Sequence, residues 1–169
     1  MGHEVSMTPL GLLTAFCAIG NGGVLVRPRI VDRVEDSAGE VVYRSPERKL
    51  GRAVSAGTAR EMREILEMVA MEGGTGRRAA IAGFPVAGKT GTAQKLAPEG
   101  GYSRSLYRAL YMGLVPADRP RLAILVVVDE PRPAYYGGVV AAPVFKEVGE
   151  RVIRYLDLEP YPPKEEVIS

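Results

Sequence analysis

Hydrophobic residues along this chain change their spacing several times, and each change predicts an element. Between Thr8 and Gly20, Leu10, Leu12, Leu13, Phe16, Cys17 and Ile19 surround a helix on nearly all sides. That pattern predicts a buried helix, capped by Thr8, with Pro9 at its first position and Gly20-Asn21-Gly22-Gly23 as its stop. Residues 24–36 and 40–44, joined through Ser37-Ala38-Gly39, read as a small hairpin on a solvated face with a structural role. From Ser55 or Thr58 onward, Met62, Ile65, Leu66, Val69 and Ala70 recur at steps of three and four, so an amphipathic helix is expected to run to Gly73-Gly74. Residues 84–94, 108–115 and 121–129 follow as strands, and the short links at Gly100-Gly101 and 117–120 favour an antiparallel meander. A last helix opens with Pro143 in its first turn and places Val144, Phe145, Val148, Val152, Ile153 and Leu156 on one side, enough to cover one face of the sheet. The fold class is therefore α+β, an antiparallel sheet of about three strands covered by helices. One domain is expected over residues 1–157, and the prolines and charges of 158–169 suggest a disordered tail.

Composition narrows the function. With 169 residues, of which 46% are hydrophobic and 25% charged, the chain suits one globular domain. A net charge of +2 without a concentrated Lys/Arg stripe argues against nucleic acid as a partner. Cys17 is the only cysteine, sits in an apolar helix pattern and reads as a packed small side chain. No metal cluster or cofactor motif is visible, and His3 lies outside any ligand set. The longest strongly apolar run, 122–128, is far shorter than the ~20 residues that span a bilayer.

Residues 83–94, Gly-Phe-Pro-Val-Ala-Gly-Lys-Thr-Gly-Thr-Ala-Gln, demand a chemical explanation, and two compete. Gly83 to Thr90 fits G-x-x-x-x-G-K-[ST], and the apolar run 122–128 closed by Asp129 and Glu130 resembles the magnesium-holding strand of nucleotide hydrolases, so a P-loop NTPase is one alternative. A phosphate loop needs a buried strand before it and a helix opening directly behind it. Here residues 76–82 are basic and short, while Gly91, Pro98, Gly100 and Gly101 leave a helix room for only a turn or two. As a strand the segment makes better sense. Val86, Gly88, Thr90 and Thr92 then share one face, and Ala87, Lys89, Gly91 and Ala93 the other.

A strand carrying Lys-Thr-Gly at its lip is one of three short motifs of penicillin-binding proteins and serine β-lactamases. Nearly the whole chain resembles the second half of a class B penicillin-binding protein transpeptidase domain, the group containing the division-septum and sporulation enzymes. The likeness is carried in order by 2–10, by 18–28 with its Gly20-Asn21-Gly22-Gly23, and by Gly73-Gly74-Thr75-Gly76 ahead of 86–93. It continues through Gly113-Leu114-Val115-Pro116 and the run from Tyr135-Tyr136-Gly137-Gly138 to Ala142-Pro143-Val144-Phe145. Gly11 departs from the glutamine often found after Thr-Pro-Leu. A complete enzyme of this kind also carries Ser-x-x-Lys and Ser-x-Asn. No serine here is followed three residues later by lysine, and the only asparagine, Asn21, has Ile19 two places before it.

The resemblance implies half of a serine D,D-transpeptidase fold, in which two further strands lie beside the 122–128 strand, and a chain inactive alone. It implies acyl transfer on a peptidoglycan stem peptide ending in D-Ala-D-Ala, imitated by β-lactam antibiotics. Lys89 is implied as the cation near the missing serine relay and Thr92 as the backbone oxyanion donor. Thr90 and Thr92 hydroxyls are implied to hold the substrate carboxylate, and Gly91 to leave the strand edge bare. Its implied partners are the missing N-terminal half of the same domain and division proteins; its implied place is the extracytoplasmic (periplasmic) face of the bacterial inner membrane, on an anchor outside this chain. Thr75 and Gly76 read equally as a cleft loop or a helix stop, and Tyr135 to Gly138 favour packing over a groove border. A non-catalytic module binding the cell wall or the division machinery is the remaining alternative.

Overall fold

A computed structural model describes residues 6–97 and 100–161. Helix α1 (Pro9–Gly20) begins where expected, because the Thr8 side chain accepts from the Gly11 amide at 3.1 Å and Pro9 needs no amide partner in the first turn. It is less buried than its composition suggests. Only Phe16 and Ala18 are fully covered, whereas Leu10 stays 49% exposed, because one side alone meets the sheet and α2. Helix α2 (Ala56–Glu67) takes Ser55 as its cap, with the hydroxyl accepting from the Thr58 amide at 3.0 Å.

The expected single hairpin is two ribbons. Strand β1 (Val24–Val26) pairs with β4 (Lys49–Arg52), and β2 (Arg33–Glu35) pairs with β3 (Val41–Arg44), both antiparallel. The turn at 36–40 is as read: the Asp36 carboxylate accepts from the amides of Ala38 and Glu40, each at 2.9 Å. The remainder of the predicted strand 24–36 breaks at Pro28, where the missing amide interrupts pairing and lets β1 find a later partner.

The main sheet runs β5 (Ala87–Leu96), β6 (Tyr102–Val115), β7 (Leu122–Asp129), antiparallel and in that order, so the meander is as expected. Both β5 and β7 are edge strands among the described residues. On one face Val86, Tyr111, Ile124, Val126 and Val128 pack against helix α4 (Ala142–Tyr155), whose Phe145 meets Tyr111 edge-on at 4.8 Å. The covering stripe of α4 is Ala142, Phe145, Gly149 and Ile153; Val144 and Val148, placed on that side by the sequence pattern, are 42% and 39% exposed. On the other face Ala87, Leu114 and Ala117 pack with Phe16 of α1 and Leu66 of α2.

Two glycines let backbone press on the Tyr111 ring. A Cβ at Gly88 would stand 2.1 Å from the Tyr111 hydroxyl, and one at Gly76 would stand 2.5 Å from its ring. The loop after α2 is thereby clamped over the sheet, with the Gly76 amide donating to the Val69 carbonyl at 2.8 Å.

The chain remains packed past Asp157, where the disordered tail was expected to begin. Leu158 joins the core, the Tyr161 amide donates to the Gly83 carbonyl at 2.8 Å, and its hydroxyl donates to Asp118 at 2.8 Å. The aromatic rings of Phe84 and Tyr161 outweigh the proline-rich composition there, with centroids 6.4 Å apart. Residues 162–169 of that expected tail, and His3, lie outside the described residues.

Candidate active-site groove

The Lys-Thr-Gly-Thr segment lies in the first half of β5, an extended strand that runs on to Leu96 with no helix opening at Thr90. This overturns the P-loop alternative, whose phosphate would need amides converging at a helix start. The Walker-type acids are engaged elsewhere: Asp129 and Glu130 accept from Lys95 at 2.9 and 2.6 Å.

A groove of about 420 Å³ runs along the exposed lip of β5, lined by Thr90, Thr92, Thr75, Tyr136 and the neighbouring arginines 77 and 78. Three elements meet there. The Thr75 and Thr90 hydroxyls lie 3.1 Å apart, joining the loop after α2 to β5. The Gly137 amide, first in the short helix α3 (Gly137–Val140), donates to the Thr92 hydroxyl at 3.2 Å. A hydroxyl that accepts this way keeps its own proton to donate.

Of the residues singled out from sequence, Thr90 and Thr92 enter the groove together. Gly91 lies between them facing the opposite side, where a Cβ would come 2.9 Å from Leu110. Lys89 shares that opposite face with Ala87, toward α1 and α2, and its ammonium donates to the Thr90 carbonyl at 2.9 Å while remaining exposed. Strand alternation therefore divides the motif into hydroxyls on one side and a cation on the other.

Thr75 belongs to the groove, a role that the sequence left balanced against a plain helix stop. Its contact with Thr90 spans fifteen positions and leaves no local periodic signal. Tyr136 also borders the groove, 59% exposed, against the expectation that the tyrosine pair is mainly packing. Tyr135 does pack, stacked on Tyr107 with centroids 4.2 Å apart and in contact with Tyr136 at 4.5 Å.

The family described as the penicillin binding protein transpeptidase domain matches residues 1–150. The chain belongs to the penicillin-binding protein transpeptidase family. Within it the class B group fits. The chain is 38% identical over 161 residues to the peptidoglycan D,D-transpeptidase FtsI of Escherichia coli, covering 94% of this chain and 25% of that protein. It is 37% identical over 162 residues to the stage V sporulation protein D of Bacillus subtilis, again covering 94% of the chain and 25% of the relative. The crystal structure of penicillin binding protein 3 from Mycobacterium tuberculosis complexed with ampicillin superposes with a TM-score of 0.86 at 32% identity, over 97% of this chain and 38% of that one. The chain thus spans about a quarter of the length of these curated relatives. The α+β fold with a three-stranded antiparallel sheet is accordingly part of the transpeptidase fold.

Beyond the groove, burial pushes the Cys17 thiol up from its ordinary range, consistent with a packed side chain and not a nucleophile. Among the described residues no helix is long and apolar enough to cross a membrane.

Proposed function

We propose that this chain supplies one wall of a peptidoglycan D,D-transpeptidase site, with β5 as the strand against which the stem peptide ending in D-Ala-D-Ala lies extended. The observation that carries this reading is the paired presentation of Thr90 and Thr92 on an edge strand, one hydroxyl set by Thr75 and the other by the Gly137 amide. An edge strand can accept an extended peptide by main-chain pairing, and the two hydroxyls suit its terminal carboxylate. The Thr92 amide serves as one oxyanion donor. Lys89, on the opposite face, serves the proton relay of the nucleophile. β-Lactams occupy the same wall. That nucleophile is not among these residues, since no serine stands three places ahead of a lysine, and the chain by itself is inactive. In the intact protein the domain works on the extracytoplasmic (periplasmic) face of the inner membrane.

Fluorescent penicillin tests this. The isolated chain should acquire no covalent label, whereas the chain joined to a segment carrying Ser-x-x-Lys and Ser-x-Asn should be labelled, with Lys89→Ala slowing labelling on the order of 10²-fold. Label on the isolated chain, or an unchanged rate in Lys89→Ala, overturns the reading.

A further inference from the structure

Resting on the transpeptidase reading of this groove, we propose that Arg78 forms a subsite for a second carboxylate, so that ligands with two carboxylates are favoured over those with the terminal one alone. Space comes first. The groove measures about 420 Å³, whereas a carboxylate held by Thr90 and Thr92 takes up little more than the ~30 Å³ share of a water molecule. Beyond the threonines the wall turns cationic, with Arg77 and Arg78 among the lining residues and no acidic side chain with them.

The two arginines differ. Arg77 is neutralised by Glu72, 2.7 Å away, and that pair projects into solvent. Arg78 has no ion pair among the described residues and is the uncompensated charge of the groove. Its backbone is fixed, because the next residue, Ala79, is fully buried and donates its amide to the Gly76 carbonyl at 2.8 Å. A planar guanidinium on a fixed root offers two parallel N–H donors to a carboxylate, a fit that a point charge does not match. Lys89 cannot take the same role, since it occupies the other face of β5. A ligand with a single carboxylate spends it on the threonines and leaves Arg78 solvated. One whose terminal residue carries a second acid can reach both.

Nuclear magnetic resonance titration of the full chain with acetyl-Lys-D-Ala-D-Ala and acetyl-Lys-D-Ala-D-Glu, read at the Thr90 and Thr92 amides, tests the proposal. The diacid should bind about fivefold more tightly, the scale of a partly exposed ion pair. Arg78→Gln should bring the two peptides to parity, and Arg78→Lys should keep part of the preference. Both variants are substitutions at an exposed position, and an unchanged amide spectrum without ligand verifies their fold. Equal affinities in the unaltered chain, or a preference that survives Arg78→Gln, overturns the subsite. Failure of both peptides to shift Thr90 and Thr92 overturns the placing of the terminal carboxylate on those threonines, and the subsite with it.

Discussion

The three-stranded sheet and the two ribbons use the same antiparallel pairing, yet they are held in different ways. In the sheet, Tyr111, Leu114 and Val115 of β6 and Phe145 of α4 are fully buried, and backbone is pressed onto the Tyr111 ring. In the ribbons every residue of β2, β3 and β4 is exposed. Ion pairs from Asp32 to Arg29, Arg33 and Arg44 tie that region together instead. Hydrogen-bonded pairing alone sets register; burial of apolar side chains on a face makes it stable and rigid. The groove is built on the rigid part, so the Thr90 and Thr92 hydroxyls sit on a strand that cannot slip without exposing its core face.

The largest expected effect separates the two regions outright. Phe145→Ala should cost about 4 kcal/mol in urea unfolding, because a fully buried ring leaves a cavity beneath β6. Val42→Ala, in a ribbon at 63% exposure, should stay within about 0.5 kcal/mol. Losses of equal size would mean that the sheet and the ribbons are held alike.

Glycine positions sharpen it further. Gly88→Ala should cost about 3 kcal/mol, since its Cβ would stand 2.1 Å from the Tyr111 hydroxyl with little room to relax. Gly39→Ala, at φ +85 with nothing within 4 Å of the added carbon, should cost only the left-handed backbone penalty of about 1 kcal/mol. Tyr111→Phe removes the clashing oxygen. Combined with Gly88→Ala it should recover part of the loss, a coupling that a double-mutant cycle reads directly. Alone, Tyr111→Phe should be neutral or stabilise by about 1 kcal/mol, because the hydroxyl is buried with no hydrogen-bond partner. Destabilisation of that size would show that the hydroxyl is satisfied in solution.

The same contrast explains what was legible in the sequence. The 3.6 period gave α2 and α4, because each buries one face and the face leaves a pattern, whereas α1 was marked by Thr8, Pro9 and its glycine stop and the meander by its short links. Strand alternation also divided Lys89 from Thr90 and Thr92 correctly. The ribbons misled because β2, β3 and β4 are exposed throughout and only β1 is half-buried, so no burial pattern fixes which strand pairs with which; Pro28 was the one local signal of the break. Thr75 was undecided for a different reason. Its partner Thr90 is fifteen residues away, brought close by a loop clamped over Tyr111, and no periodicity in the chain encodes that contact.

The smallest expected effect concerns the one place where the rigid sheet also relies on exposed charge. Lys95 of β5 reaches Glu130 and Asp129 at the end of β7, while Arg108 of β6 holds the other Asp129 oxygen at 3.1 Å, so the clasp spans all three strands. The Lys95 bond draws the Asp129 carboxyl below its ordinary range, and the bond to Glu130 raises the Lys95 ammonium above its own. A depressed acid contributes stability above its unfolded value, about 3.9, and loses it as pH falls through the lower folded value. A raised base contributes below about 10.4 and loses it as pH rises through the higher folded value. The difference in urea midpoint between the unaltered chain and Lys95→Met should therefore be flat across neutral pH, shrink toward both extremes, and fall in high salt. A difference independent of pH and salt would assign the effect to packing of the lysine stem, and the clasp would then hold the sheet as its interior does, by contact and not by charge.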